Sequence, residues 1–199
     1  MTRQARFGAG LAAVVALATA SLAGQTLTRQ DSASMQRKID AIAARGQQPG
    51  GPALRTSFTD REVNAYLKYD GQSRIPTGVV NPQITIAENG RLDATALVDV
   101  DAVRKAQPSA MLDLVAMFAG SVEVRASGML RAANGKGSFV LDRATVGGVP
   151  VPKSLLQTLV TQYSRNPDLP DGFDLDKPFD LPAAIRSIEM QPGAATIIQ

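Results

Sequence analysis

The chain has 199 residues, of which 44% are hydrophobic and 20% are charged, a composition typical of a globular domain. It contains no cysteine and no histidine, which excludes disulfide bonds, cysteine nucleophiles, serine–histidine triads and the usual clusters of transition-metal ligands. No basic stripe interleaved with aromatic residues occurs, so we expect no nucleic-acid partner. We also expect no cofactor and no metal, and a stability that comes from a packed core alone.

The N-terminus has the three-part pattern of a secretory signal peptide. Two arginines precede an apolar run over 7–20, and small residues follow, so we expect cleavage after Ala20 or Ala23. The run is short for a membrane-spanning helix, and an uncleaved anchor is the alternative. We therefore assign 1–23 to a signal peptide and expect an exported protein, periplasmic or peripheral to the envelope membrane.

The segment 24–52 is predicted to be a short helix followed by a linker. Apolar residues recur at helical spacing up to Gly46, which is the expected stop, and a surface helix or a partly ordered stalk fits this pattern. The sequence "GQQPGGP" over 46–52 offers nothing to bury and is typical of a linker. We place the domain boundary there, which leaves 53–199 as one α+β domain.

This domain opens with a helix-start signal. Thr59 and Glu62 have the spacing of a capping box, and Phe58 and Val63 flank them as a hydrophobic staple. The helix is predicted to run to about Lys68. Three of its side chains are expected to be buried: Val63, Tyr66 and Leu67.

Beyond that helix the hydrophobic period changes to two, which indicates strands. A three-residue Glu-Asn-Gly loop would pair Ile86 with Leu92 and Ile84 with Ala94, and would keep one face apolar. A two-residue turn would mix the faces, so we predict the longer loop, with Gly90 in the left-handed conformation.

Two further amphipathic helices are predicted, over 108–120 and after Pro152. Their apolar stripes are Met111, Leu114, Val115 and Phe118 in the first helix and Leu155, Leu156, Leu159 and Val160 in the second. Asn134 and Gly135 mark a hairpin between the two helices, and a second hairpin closes the chain after a proline-rich crossing. The sum predicts a meandering antiparallel sheet with helices on one face.

Carboxylates are the remaining catalytic option. Asp99 and Asp101 are predicted to lie on one face of a strand, since the apolar alternation continues to Val100. Five more aspartates lie in the proline-rich crossing: Asp168, Asp171, Asp174, Asp176 and Asp180. Their spacing matches no calcium-loop template, and aspartate is common in turns because it hydrogen-bonds the backbone. We therefore predict caps and solvated strand edges rather than an enzyme.

The second half of the chain contains "GVPVP" over 148–152, a predicted helix after it, and a closing strand pair with a Pro192-Gly193 turn. In these features it resembles the LmeA-like family of exported bacterial phospholipid-binding proteins, which is distantly similar to tubular lipid-binding proteins of the BPI type. "FTDREVNAYL" also resembles the opening helix of this family and of the related YpmS-like proteins. The likeness covers 58–199.

This resemblance implies a curved antiparallel sheet with amphipathic helices packed on its concave face. If the helices stand off the sheet, the two apolar stripes named above line a cavity for acyl chains. The first hypothesis is therefore a non-enzymatic protein that binds or carries a lipid in the bacterial cell envelope, at a lipid or membrane surface. The second is a closed-core envelope module that binds a protein partner through a helix or an exposed strand edge such as 196–199.

Overall fold

The computed structural model describes residues 26–48, 50–106, 119–165 and 170–199. Within these ranges it contains four α-helices, α1 (Arg29–Gln47), α2 (Asp60–Tyr69), α3 (Val100–Ala106) and α4 (Lys153–Ser164), and two short 3-10 helices (Gln72–Arg74 and Glu88–Gly90). The strands are β1 (Arg55–Thr59), β2 (Val79–Ile86), β3 (Arg91–Asp99), β4 (Ser121–Ala133), β5 (Lys136–Val146), β6 (Val149–Pro150), β7 (Phe179–Asp180), β8 (Ser187–Gln191) and β9 (Ala194–Ile198). Within the described ranges no helix has the length and apolar character needed to cross a bilayer. The predicted signal peptide lies outside these ranges.

The strands form two antiparallel sheets. The larger has the order β2-β3-β4-β5-β6, with β7 also paired to β5, and the smaller has the order β1-β9-β8. Strands that follow one another in the chain are neighbours in the larger sheet, so the predicted α+β class and the antiparallel meander are confirmed. The curvature of the sheet and the packing of helices on a concave face stay predictions, as does the domain boundary at 46–52.

The first hairpin of the larger sheet has the predicted register. Ile84 lies opposite Ala94 and Ile86 opposite Leu92, as the three-residue loop requires. Gly90 has a φ of +82°, and a Cβ placed on it would lie 2.2 Å from the carbonyl oxygen of Leu130. Glycine is therefore required at this turn both for its backbone conformation and for the close approach of β4.

The smaller sheet corrects one expectation. The segment 196–199 is not an exposed edge, because β9 lies between β1 and β8 and pairs with both. Gln199, just after β9, is only 3% exposed. The edges of this sheet are β1, which the sequence analysis did not predict, and β8.

The third strand also ends earlier than its alternation indicates. β3 stops at Asp99, and Val100 and Asp101 begin α3, so the two aspartates do not share a strand face. The Asp99 carboxylate accepts a hydrogen bond from the Ala102 N–H at 2.9 Å. A carboxylate in this position satisfies a free N–H at a helix start, which is why the chain turns into a helix here.

The first helix is longer than predicted and passes through Gly46. Thr28 and Asp31 form a capping box at its start, and it ends at Gln47. Gly46 is needed for another reason than stopping the helix, since a Cβ there would lie 2.4 Å from the Cα of Ala183. α1 packs along α2 and buries Ile42, so it is attached to the rest of the fold and is not a free stalk.

The second helix begins as the sequence predicts. Thr59 and Glu62 form the expected capping box, and the helix extends one residue past Lys68. Tyr66 is buried, whereas Val63 and Leu67 are only half-buried. Leu67 is incompletely covered because it faces a groove, which the next section describes.

The fourth helix begins directly after Pro152, whose carbonyl oxygen accepts hydrogen bonds from the backbone of Leu155 and Leu156. The segment 173–175, which follows α4 in the chain, covers part of the polar face of this helix. Gln157 donates to the carbonyl of Phe173 at 3.1 Å and accepts from the Leu175 N–H at 2.8 Å. The amide side chain therefore supplies hydrogen bonds that the irregular 173–175 backbone would otherwise lack.

Candidate functional site

One face of the larger sheet carries small apolar side chains in adjacent strands. Ile84 on β2 lies opposite Ala94 on β3, and Ala94 lies opposite Ala126 on β4. In the next row, Ala96 lies opposite Val124. All five residues are exposed or half-buried, so no other described element covers this part of the sheet fully. Alanine and valine leave room above the sheet where leucine or phenylalanine would fill it.

This face forms the floor of an open cavity of about 290 Å³, which we call the slot. Its other apolar lining residues are Leu67 from α2, Ile75 and Pro76 from the connection after α2, and Val79 and Pro82 from β2. Arg74, Gln83 and Thr95 are its polar lining residues. A mostly apolar space of this kind fits a hydrocarbon better than a polar metabolite.

A wider groove of about 940 Å³ continues from the slot. The two cavities share the lining residues Leu67, Ile75, Pro76, Val79, Pro82 and Gln83. The wider groove adds polar and charged residues, among them Arg29, Asn64, Lys68 and Tyr69. The two spaces together therefore have an apolar end and a polar end.

Asn64 fixes α2 against the edge of the sheet. Its side-chain amide donates to the carbonyl of Ile84 at 2.8 Å, and its side-chain oxygen accepts from the Ile84 N–H at 2.7 Å. The side chain thus occupies the backbone groups that a neighbouring strand would use. It also sets the distance between the helix and the sheet, and hence the width of the groove.

The edge strand β2 is irregular where the two cavities meet. Its register shifts between Val80 and Gln83, and Asn81 has a φ of +49°. Pro82 follows and has no N–H to offer to a further strand. The bulge and the proline keep this edge from extending the sheet, so the groove beside it stays open.

The predicted lipid-lining residues lie elsewhere. Met111, Leu114, Val115 and Phe118 lie outside the described residues, as does the side chain of Leu159. Leu155, Leu156 and Val160 are half-buried on α4, and neither the slot nor the wider groove is lined by them. The assignment of these eight residues to a lipid cavity stays a prediction.

Three aspartates of the proline-rich crossing, Asp174, Asp176 and Asp180, form local pairs, and Asp168 lies outside the described residues. Asp174 accepts from the Asp176 N–H at 2.9 Å and pairs with Lys177 at 3.0 Å, and these contacts lower the pKa of its carboxyl group. Asp176 pairs with Lys153, and Asp180 pairs with Lys136 at 2.5 Å. Among the described residues no group of carboxylates is arranged to hold a metal ion.

The sequence analysis identified the floor residues as strand residues but not as a site. The available signal is the size of these side chains, since three of the five floor residues are alanine: Ala94, Ala96 and Ala126. An apolar strand face that is built from alanine, opposite half-covered leucine and isoleucine, leaves unfilled volume. That signal can be read only once the register and the position of α2 are known.

Comparison with protein-family models, with curated proteins and with solved structures finds no match for this chain. The function is therefore argued from the geometry of the slot and the groove.

Proposed function

We propose that the chain binds a lipid, with an acyl chain lying in the slot, and that it carries or presents this lipid in the bacterial cell envelope. The observation that supports this most directly is the row of apolar side chains on the sheet, Ile84, Ala94 and Ala126, two of them alanine, which face an open apolar cavity. The N-terminal signal pattern and the resemblance to phospholipid-binding proteins agree with this function.

The size and lining of the cavities fit this role. Small-molecule sites commonly have volumes of about 300–1,000 Å³. The slot has about 290 Å³ and the groove that continues it about 940 Å³. Burial of hydrocarbon stabilises a complex by about 0.8 kcal/mol per methylene, so ten buried methylenes contribute about 8 kcal/mol before the cost of ordering the chain. No catalytic side chain is required for such binding.

The first test is to identify what the protein carries. Mature protein purified from its native envelope is extracted with organic solvent, and the extract is analysed by mass spectrometry. We expect a lipid at a stoichiometry near one per protein. Native mass spectrometry of the delipidated protein then measures the uptake of 1-oleoylglycerol, a neutral single-chain lipid.

Two variants localise the lipid to the slot. Ala94→Leu and Ala96→Leu place larger side chains on its floor, and we expect the uptake of 1-oleoylglycerol to fall about tenfold or more while the fold is kept. Ala133→Leu is the matched control, because Ala133 is an exposed strand alanine outside both cavities. A protein that carries no lipid and takes none up, or equal uptake in all four proteins, would overturn the proposal and favour the protein-partner alternative.

A further inference from the structure

Two positive charges converge on one aromatic ring at the polar end of the wider groove. The guanidinium carbon of Arg29 is 5.0 Å from the centroid of the Tyr69 ring, and the ammonium of Lys68 is 5.3 Å from it. The Tyr69 hydroxyl donates to the carbonyl of Leu27 at 3.0 Å, which holds the ring in place. Both cations are thus positioned by a fixed ring rather than spread over free surface.

The nearby carboxylates on α1 and α2 have other partners. Asp31 accepts hydrogen bonds from Thr28 and Arg61, and the Thr28 contact lowers the pKa of its carboxyl group. Asp70 accepts from the buried Ser32 hydroxyl.

Glu62 is likewise occupied, because Lys38 and Ser34 donate to it. No aspartate or glutamate is among the residues that line the wider groove. Arg29 and Lys68 therefore give the groove a positive potential that no lining carboxylate neutralises.

We infer that the wider groove binds an anionic headgroup, a phosphate ester or a carboxylate, of a lipid whose chain lies in the slot. This inference rests on the proposed function, and it adds the charge class of the ligand. Arginine and lysine donate charge-assisted hydrogen bonds to such oxygens. Arg29 is also the first residue of α1, where the helix dipole adds positive potential and where a cation is otherwise unfavourable. Since the two cavities share one wall, a single amphiphile spans them.

The experiment compares three ligands that separate the contribution of the acyl chain from that of the charge. 1-Oleoylglycerol has the chain and no charge, 1-oleoylglycerol 3-phosphate has both, and glycerol 3-phosphate has the charge and no chain. Affinities are measured by isothermal titration calorimetry on the full mature protein. The variant is Arg29→Gln/Lys68→Gln. The control, Arg37→Gln/Lys105→Gln, removes the same charge at two exposed residues that line neither cavity.

We expect the phosphate ester to bind about tenfold more tightly than the neutral lipid. This advantage disappears in the groove variant, persists in the control, and weakens with added salt. Equal affinities for the two oleoyl ligands, or an advantage that the groove variant keeps, would overturn the inference and leave lipid binding intact. Failure of both oleoyl ligands to bind would overturn lipid binding itself. If glycerol 3-phosphate binds as tightly as the lipid ester, the groove is a site for free phosphate esters. This result would overturn the inference that the ligand is an amphiphile.

Discussion

Lys38 donates to both carboxylate oxygens of Glu62, at 2.6 and 2.8 Å, and so joins α1 to α2. Ser34 donates to the same carboxylate at 2.6 Å, and the Thr59 N–H at the start of α2 donates at 2.9 Å. The side chain of Glu62 is only 12% exposed. One carboxylate therefore fastens the middle of α1 to the beginning of α2.

This contact makes part of the stability depend on pH. Burial raises the pKa of Glu62, but the hydrogen bonds from Lys38, Ser34 and Thr59 outweigh it and lower the pKa overall. A carboxyl group whose pKa is lower in the folded state stabilises the fold at pH values above its pKa in the unfolded state, about 4.3. This stability is lost as the pH falls through the pKa of the folded state. We expect Glu62→Gln to lose about 1–2 kcal/mol of unfolding free energy at pH 7 and less at pH 3.

Urea unfolding at both pH values measures this difference. Asp40→Asn is the control, because Asp40 is exposed and accepts its hydrogen bond from Gln36 on the same helix. An equal loss for Glu62→Gln at both pH values would show that the carboxylate charge is not what joins the two helices.

Because α1 approaches the 182–185 turn closely, we predict that Gly46→Ala destabilises the fold, which is the opposite of what helix propensity predicts. Alanine is favoured over glycine inside a helix by about 1 kcal/mol, so Gly46→Ala should stabilise an isolated α1. In this fold the new Cβ would lie 2.4 Å from the Cα of Ala183. We expect a loss of about 1–3 kcal/mol in thermal or urea unfolding. Ala43→Gly, at an exposed position of the same helix, calibrates propensity alone. A Gly46→Ala variant more stable than the parent would show that α1 and the turn are not in contact.

Gln199 attaches α1 to the rest of the fold at a second point. Its amide donates to the carbonyl of Ile42 at 2.9 Å and to that of Ala183 at 2.6 Å, and the residue is buried. Gln199→Ala leaves two carbonyls without a donor, and we expect a loss of about 1–3 kcal/mol in urea unfolding. Gln199→Glu should lose more, because it replaces the donor with a buried charge. The exposed Gln191→Ala is the control, and a loss as large in Gln191→Ala would refute the assignment.

The turn at 182–185 has an unusual composition for its geometry. Ala183 and Ala184 have φ values of +53° and +55°, and the Ile185 N–H bonds the Pro182 carbonyl, as in a type I′ turn. Ala184→Gly relieves strain at an exposed position, and we expect a net gain of about 0.5 kcal/mol. Gly135→Ala is the reverse experiment, at a turn glycine with a φ of +75° where an added Cβ would come no closer than 4.0 Å to the Ile185 carbonyl oxygen. Calorimetry should show melting temperatures that shift in opposite directions.

The parts of the fold that the sequence predicts are those fixed by neighbouring residues. The register of Ile84 with Ala94 follows from the alternation and the Glu-Asn-Gly loop between them, and Asn134-Gly135 marks the next hairpin in the same way. β1 was missed because its partner is distant, with Arg55 opposite Ile198. Local patterns contain no information about such a pairing.

The site was harder to predict than the fold, for a related reason. Leu67 was expected in the core because its helix is amphipathic, and periodicity shows which side faces inward. Whether another side chain reaches that surface depends on packing between elements. Here Ala94 and Ala96 line the same open cavity as Leu67, so an inward position of α2 becomes part of the slot lining.

The central position of β9 has a consequence for the order of folding. β1 is made early in translation, yet its only strand partner within the described residues is β9, about 140 positions later by the pairing of Arg55 with Ile198. The Asp60 N–H at the start of α2 likewise bonds the carbonyl of Gly193. A nascent chain that lacks 193–198 therefore keeps β1 unpaired and this helix start unanchored. The smaller sheet can thus be completed only after all strands of the larger sheet have been synthesised.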